Sequence, residues 1–345
     1  IFDNFDKTSM SYYFPIDQGY VQNYELQESI WNCVFEDESL KCDPTQTHLL
    51  ITEPMNNPRA LALKMYEILF RKYRFKAVAC LTAVHLSALR YMSCDNPATT
   101  DCVVVDTGYS FTHIVPFIDG MPLREAQIRI DVGGNLLLTN HLKSVISFKQ
   151  LDLTKELFIV NEIKEKISFV APDYKEATRF PDKIRENNHI SYKLPNFVSS
   201  FHGSINKKDH NESAKHLPSQ CLTIDVERFT IPEILFQPSL INIEQMGIPE
   251  AIVKCVEQCP EPKRSNLYSN IVLTGGNVSF PGFADRVLTE VRRMSKQEHT
   301  ICLFKPEKPD SYAWSAGHIL ANEGLLGNEN VFIPINKYLE YGFDS

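Results

Sequence analysis

The chain has no apolar run approaching the roughly 20 residues that cross a bilayer as a helix. Its most hydrophobic helical stretch, 77–89, is interrupted by Thr82 and His85. Nor does it carry an excess of basic residues. Thirty-five Lys and Arg stand against 43 Asp and Glu, a net charge of −8, which argues against free-standing attraction to nucleic acid or an anionic membrane. Any DNA contact then needs a local patch or a helper. No CxxC pair occurs among the nine cysteines, an odd number spread through apolar segments. That usage fits small core thiols in a reducing compartment. Cys255 and Cys259 lie one helical turn apart and make half of a metal site with no second half, so buried thiols are expected there. His210 and His216 flank a polar loop and are read the same way. The chain opens Ile1-Phe2-Asp3-Asn4, with neither a Met nor a charged-then-apolar leader, and is expected to lack its true N-terminus.

What is present suffices for two domains of ordinary size. The 345 residues are 43% apolar and 23% charged, the balance of a folded globular chain. Apolar spacing predicts helices over 23–35, capped by Asn23, over 57–73, begun by Asn57-Pro58, and over 79–91. Further helices are expected over 136–146, 155–171, 249–259, 282–294 and 312–321. Short strands are expected at 48–52, 125–132, 222–224, 271–273 and 301–304, and 199–219 reads as a long polar loop. Strands alternating with helices imply an α/β protein.

Two stretches carry candidate chemistry. In 102–119, CVVVDTGYSFTHIVPFID, a buried strand runs into Asp106-Thr107-Gly108-Tyr109-Ser110 and returns as a second strand. Such a hairpin can aim backbone N–H groups at a phosphate, with Gly108 allowing close approach and Asp106 placed to hold waters around a metal ion. An ordinary turn with a solvated Asp is the alternative. In 271–277 a buried strand runs into Gly275-Gly276-Asn277, a place where α/β proteins bind phosphate or adenosine, although a plain strand-to-helix connection has the same sequence. Together the two suggest one nucleotide gripped between two domains.

The hairpin VVVDTGYSFTHIVP, the turn IVLTGGNVSFPGF and the segments QNYELQESIWNCVF, HLLITEPMNNPRALALKMYEILF, EIKEKISFVAPDY and ERFTIPEILFQPS together resemble actin, in order and at near-matching spacing from about residue 20 onward. The resemblance implies an actin-like α/β fold, two related lobes around a nucleotide cleft. It divides the chain into a first lobe at 1–120, a second at 121–305 with a polar insertion at 198–219, and a C-terminal part at 306–345 that returns to the first lobe. The first phosphate hairpin and most of the small subdomain after it are not in this sequence. By the same resemblance Asp106, Gly108, Tyr109 and Ser110 form the second phosphate hairpin. Lys164 and Glu165 line an adenosine pocket, and Gly275, Gly276, Asn277 and Phe280 pack against the nucleotide.

Departures from the family pattern bear on activity. Tyr109 and Ser110 stand where the family has a second acid and a glycine, so one metal-directing charge is gone. His113 matches a histidine near the attacking water, but His85 is expected where a glutamine orients that water, and Asp310 where a lysine meets the base. Phosphoryl transfer depends on positioned water and metal. The resemblance therefore implies no catalytic residue, no dedicated metal site, and ATP held weakly or unhydrolysed. Within the family the closest likeness is to a nuclear branch belonging to SWR/SRCAP-class chromatin remodellers. This implies a zinc-finger HIT-domain subunit and a remodelling ATPase as partners, with nucleosomal DNA reached through them. It also implies a nuclear location, with the cytoplasm left open. An ATPase of the same fold and a filament former are the competing readings. The insertion 198–219 is read either as ordering on a partner, with Phe201 and Leu217 as anchors and Lys207, Lys208 and Lys215 at the rim, or as a solvated loop.

Overall fold

The computed structural model describes residues 12–40, 42–179, 188–198, 200–206, 220–322 and 331–342. His210, His216, Leu217 and the three insertion lysines lie outside the described residues.

A hairpin of β1 (Ile16–Asp17) and β2 (Tyr20–Val21) precedes the helix Tyr24–Phe35, whose first turn is capped by Asn23 Oδ1 accepting from the Leu26 N–H at 3.0 Å. β3 (His48–Glu53) then runs parallel to β4 (Ala77–Thr82), and near the C-terminus β14 (Ile333–Pro334) adds antiparallel to β4. The run Ala77–Thr82 is thus a strand, where a helix over 79–91 was expected. An apolar stretch this short fits either state by periodicity, and pairing on both edges decides for the strand. The helix begins at Ala83, with the Thr82 hydroxyl accepting from the His85 N–H. Asn57 does not cap the helix Arg59–Glu67; its Nδ2 donates to Glu53 Oε2 at 2.8 Å.

The main sheet has six strands. β5 (Cys102–Thr107) pairs antiparallel with β6 (Thr112–Ile118), which carries β7 (Met121–Pro122) and β8 (Ile128–Ile130). On its other edge β5 lies parallel to β12 (Ile271–Thr274), followed by β13 (Leu303–Phe304). β5 is buried on both faces, as its unbroken apolar run requires. Val103 and Val105 enter a large core with Ile163, Leu273 and Phe283, while Cys102 and Val104 enter a smaller one with Val84, Tyr91 and Tyr312.

The hairpin 102–118 shares a sheet and the large core with 271–304, and its other face shares the smaller core with Val84, Tyr91 and Tyr312, so it adjoins both units across the division at 120. The segment after 306 packs on the first unit through the helix Tyr312–Asn322 and through Ile333 opposite Val78.

A third sheet joins β9 (Ile190–Lys193) to β10 (Ser204–Asn206) and β11 (Cys221–Ile224). The segment read as one long loop therefore contributes a strand. Phe201, one of the two expected partner anchors, is half-buried with its ring 6.5 Å from that of Phe197, and Val198 nearby is exposed. The outer edge of β11 is closed by Gln150, whose amide donates to the Thr223 carbonyl and accepts from its N–H. One side chain thus stands in for a missing strand. Cys255 and Cys259 are buried thiols, and among the described residues no three His, Cys, Asp or Glu side chains converge on a metal position.

Phe283 opens the helix Phe283–Met294, is fully buried and meets Phe236 at 5.5 Å. Phe283→Ala should cost about 3–5 kcal/mol of stability, read as a lower midpoint in urea denaturation with little change in slope.

Candidate functional site

The C-terminal ends of β5 and β12 lie side by side, with Asp106 in register with Thr274. Gly275 then turns the chain with φ +94°, and a Cβ there would sit 2.2 Å from the Thr107 carbonyl oxygen. Only glycine permits that approach. Asn277 locks the two turns together, its Nδ2 donating to Thr107 Oγ1 at 2.9 Å and to the Gly108 carbonyl at 3.0 Å. The two glycine turns expected to grip a ligand from opposite domains are therefore neighbours on one sheet.

Over these ends lies a cavity of about 440 Å³. Asp106, Gly108, Tyr109, Lys164, Glu165, Gly275, Gly276, Asn277 and Phe280 all line it; Ser110 does not. Gly134, Asn161, Pro309 and Ala313 also line it and were not anticipated. The signal for Gly134 was present, since Gly133-Gly134 follows a strand just as Gly275-Gly276 does, but it was read only as a strand break.

Two side chains do other work than the sequence suggested. Lys164 is buried in the helix Leu157–Ile167, and its Nζ donates to the Gly134 carbonyl, Thr139 Oγ1 and Asn161 Oδ1, each at 2.9 Å. All three ammonium hydrogens are spent on the fold. Burial lowers its pKa to about 8, with Glu165 opposing the shift. The Gly108 N–H, expected to face a phosphate, donates to the Phe111 carbonyl at 3.0 Å and closes the hairpin.

Neither histidine lines the cavity. His113 is buried against Phe111 with its Nε2 unpartnered. Burial, aided by Arg129, lowers its pKa to about 4, so the ring is neutral. His85 packs edge-on to Phe117 at 5.7 Å and lines a second cavity of about 300 Å³. The expectation that His85 replaces a water-orienting glutamine is thus not met; the residue of its helix at the main cavity is Ala83. Asp310 does line the cavity and accepts from the Ser311 N–H at 2.9 Å.

Asp106 opens onto the cavity but is otherwise enclosed by protein. Burial raises its pKa to about 6, partly offset by the Thr274 hydroxyl. Three carboxylates, Asp106, Glu165 and Asp310, thus face a space whose one ammonium is already saturated. The lining fits the base and ribose of a nucleotide, with Phe280, Pro309 and Ala313 as apolar walls and carboxylates as acceptors. Its one lysine is spent on the fold, so a polyphosphate tail would have to be held by backbone N–H and hydroxyl donors such as those of Tyr109, Gly276 and Ser279.

Comparison with known proteins gives a consistent answer. A family model described as Actin matches residues 3–159 and 149–344. Actin-related protein 6 of Drosophila melanogaster is 35% identical over 347 residues, covering 98% of this chain and 85% of its own length. Actin-related protein 6 of Oryza sativa subsp. indica is 31% identical over 369 residues, 98% and 85% respectively. Actin-like protein ARP6 of Yarrowia lipolytica is 30% identical over 339 residues, 98% and 84%.

The folded pKa of Asp106 lies above its ordinary 3.8, so its ionised form is penalised in the native state. The penalty is absent below about pH 4, grows as the carboxyl ionises, and is complete above about pH 6. Asp106→Asn should therefore raise Tm at pH 7.5 by roughly 3 °C or more and leave it unchanged at pH 4, by scanning fluorimetry. The glycines should separate as well. Gly275→Ala should not yield stable protein, whereas Gly276→Ala, with nothing within 4 Å of the new Cβ, should keep the wild-type Tm.

Proposed function

The chain belongs to the actin family, and from that membership we propose that it is a non-catalytic structural subunit of a nuclear, SWR/SRCAP-class ATP-dependent chromatin remodelling complex, one that exchanges a nucleosomal histone dimer for a dimer carrying the Z-type variant. Support comes from the relatives, which are named Actin-related protein 6 in animal and plant alike. The observation that carries the non-catalytic part is the state of the cavity. Its hairpin presents one acid where in-line phosphoryl transfer calls for positioned metal and water, and its lysine is tied into the fold.

In this reading shape and surface are what the complex uses. The zinc-finger HIT-domain subunit and the remodelling ATPase are the proposed partners. With a net charge of −8, the chain meets nucleosomal DNA through positive charge that they supply. Next to β10, a pocket of about 160 Å³ lined by Phe158, Phe197 and Phe201 lies beside Val198, which is 88% exposed. An apolar pocket with Glu162 and Glu165 in its lining suits a partner anchor with a basic rim. An ATP-hydrolysing reading is favoured by Asp106 and opposed by Tyr109 in place of a second acid and by the place of His113 outside the cavity. A filament former would need a self-complementary surface repeated end to end.

Two measurements test this. Purified protein given γ-radiolabelled ATP should release no phosphate above the buffer blank; steady turnover would refute the structural assignment. Val198→Asp should reduce recovery of the zinc-finger subunit in a pull-down about tenfold at unchanged Tm, and undiminished recovery would move the partner to another face.

A further inference from the structure

Beside β10, the turn that joins Asn196 to Ser200 holds two phenylalanine rings in fixed positions. Asn196 Oδ1 accepts from the N–H groups of Val198 at 3.1 Å and Ser200 at 2.9 Å, and the Ser200 carbonyl accepts in return from Asn196 and Phe197. Phe197 sits at φ +52°, in the left-handed region that bulky side chains rarely occupy. Backbone outliers of that kind gather at ligand sites. The Phe197 ring stands 6.5 Å from that of Phe201 at an interplanar angle of 64°, so the two form a corner, and Phe158 is the third ring lining the same pocket of about 160 Å³. Glu162 and Glu165 are the acids in that lining, and no lysine or arginine joins them among the described residues. Glu162 Oε1 takes Lys166 Nζ at 2.6 Å and the Gly203 N–H at 3.1 Å, and Glu165 Oε1 takes Asn161 Nδ2 at 2.7 Å. Among the described residues the second oxygen of each carboxylate has no partner.

We propose that this pocket binds the methylated ammonium of a partner's lysine side chain, trimethyllysine being the type case. The inference deepens the reading of the pocket as a partner's seat and rests on it. Phenyl rings attract a cation through their quadrupole, and the gain is larger when the cation gives up its water easily. A trimethylated head has no N–H to leave unmatched among three rings, whereas a plain ammonium has three donors and a tightly held hydration shell. The two carboxylates add attraction for a positive charge without having to accept a hydrogen bond from it. What borders the pocket favours a peptide over a free quaternary amine. Val198, 88% exposed, offers apolar area to the residues flanking the lysine. β10 begins at Ser204, just past His202 in the lining, and among the described residues it has no neighbour on its outer edge, where an extended segment can lie.

The test is isothermal titration calorimetry of the full chain with a short blocked glycine peptide carrying one trimethyllysine, with the same peptide carrying plain lysine, and with choline chloride. The trimethyllysine peptide should bind about tenfold more tightly than either of the others, which is about 1.4 kcal/mol. Phe201→Leu, which keeps an apolar side chain but removes the ring, should weaken it about fivefold, whereas Phe201→Trp should preserve binding. Glu165→Gln should weaken it as well, and circular dichroism of each variant guards against misfolding. Equal binding of the two peptides would mean plain attraction to acid and overturns the inference. Choline matching the trimethyllysine peptide would make the ligand a free amine and overturns it too, as does a flat titration with every probe. In any of these cases the pocket remains a partner's seat if Val198→Asp still loses the zinc-finger subunit; undiminished recovery there removes that reading as well.

Discussion

Everything at the site follows from one backbone contact, the parallel pairing of Val103–Asp106 with Ile271–Thr274. Both strands are fully apolar up to the pairing's end, and β5 sends alternate side chains into two different cores. Parallel strands have no tight turn to join them, so the chain must leave through about 165 residues of other structure before β12 returns beside β5. Those intervening residues supply Gly134, Asn161, Lys164 and Glu165, which makes the cavity a product of the crossover. Where the paired strands stop, their ends must diverge, and Gly275, with its Cβ position 2.2 Å from a carbonyl oxygen, marks how closely they do so.

The same enclosure sets the electrostatics. Asp106, Lys164 and His113 all have pKa values displaced toward their neutral forms, and burial is the largest cause in each case. Such displacement is found at catalytic sites and at structural ones alike. Here the hydrogen bonds separate the two. A catalytic or phosphate-binding lysine keeps donors for its ligand, whereas Lys164 joins the loop at Gly134 to its own helix with every hydrogen it has. In this actin-family chain the one lysine lining the cavity is bonded entirely within the fold.

The family was legible in the sequence because its motifs are local: VVVDTG, TGGN and the other matching segments are continuous stretches, and many of the residues that line the cavity come from them. The cap at Asn23 and the burial of Cys255 and Cys259 were likewise determined by nearest neighbours, through helical spacing and side-chain chemistry. Tertiary structure alone decided the rest. Ala77–Thr82 became a strand because β3 and β14 flank it, with paired positions 29 or more residues away along the chain. The hairpin's parallel neighbour was set by the return of β12, the fate of Lys164's three hydrogens by oxygens up to 30 residues distant, and the place of His85 by Phe117. Local patterns state which atoms can bond and how an element repeats, but which donor is still free for a ligand depends on who arrives from elsewhere in the chain, and only the packed structure settles that.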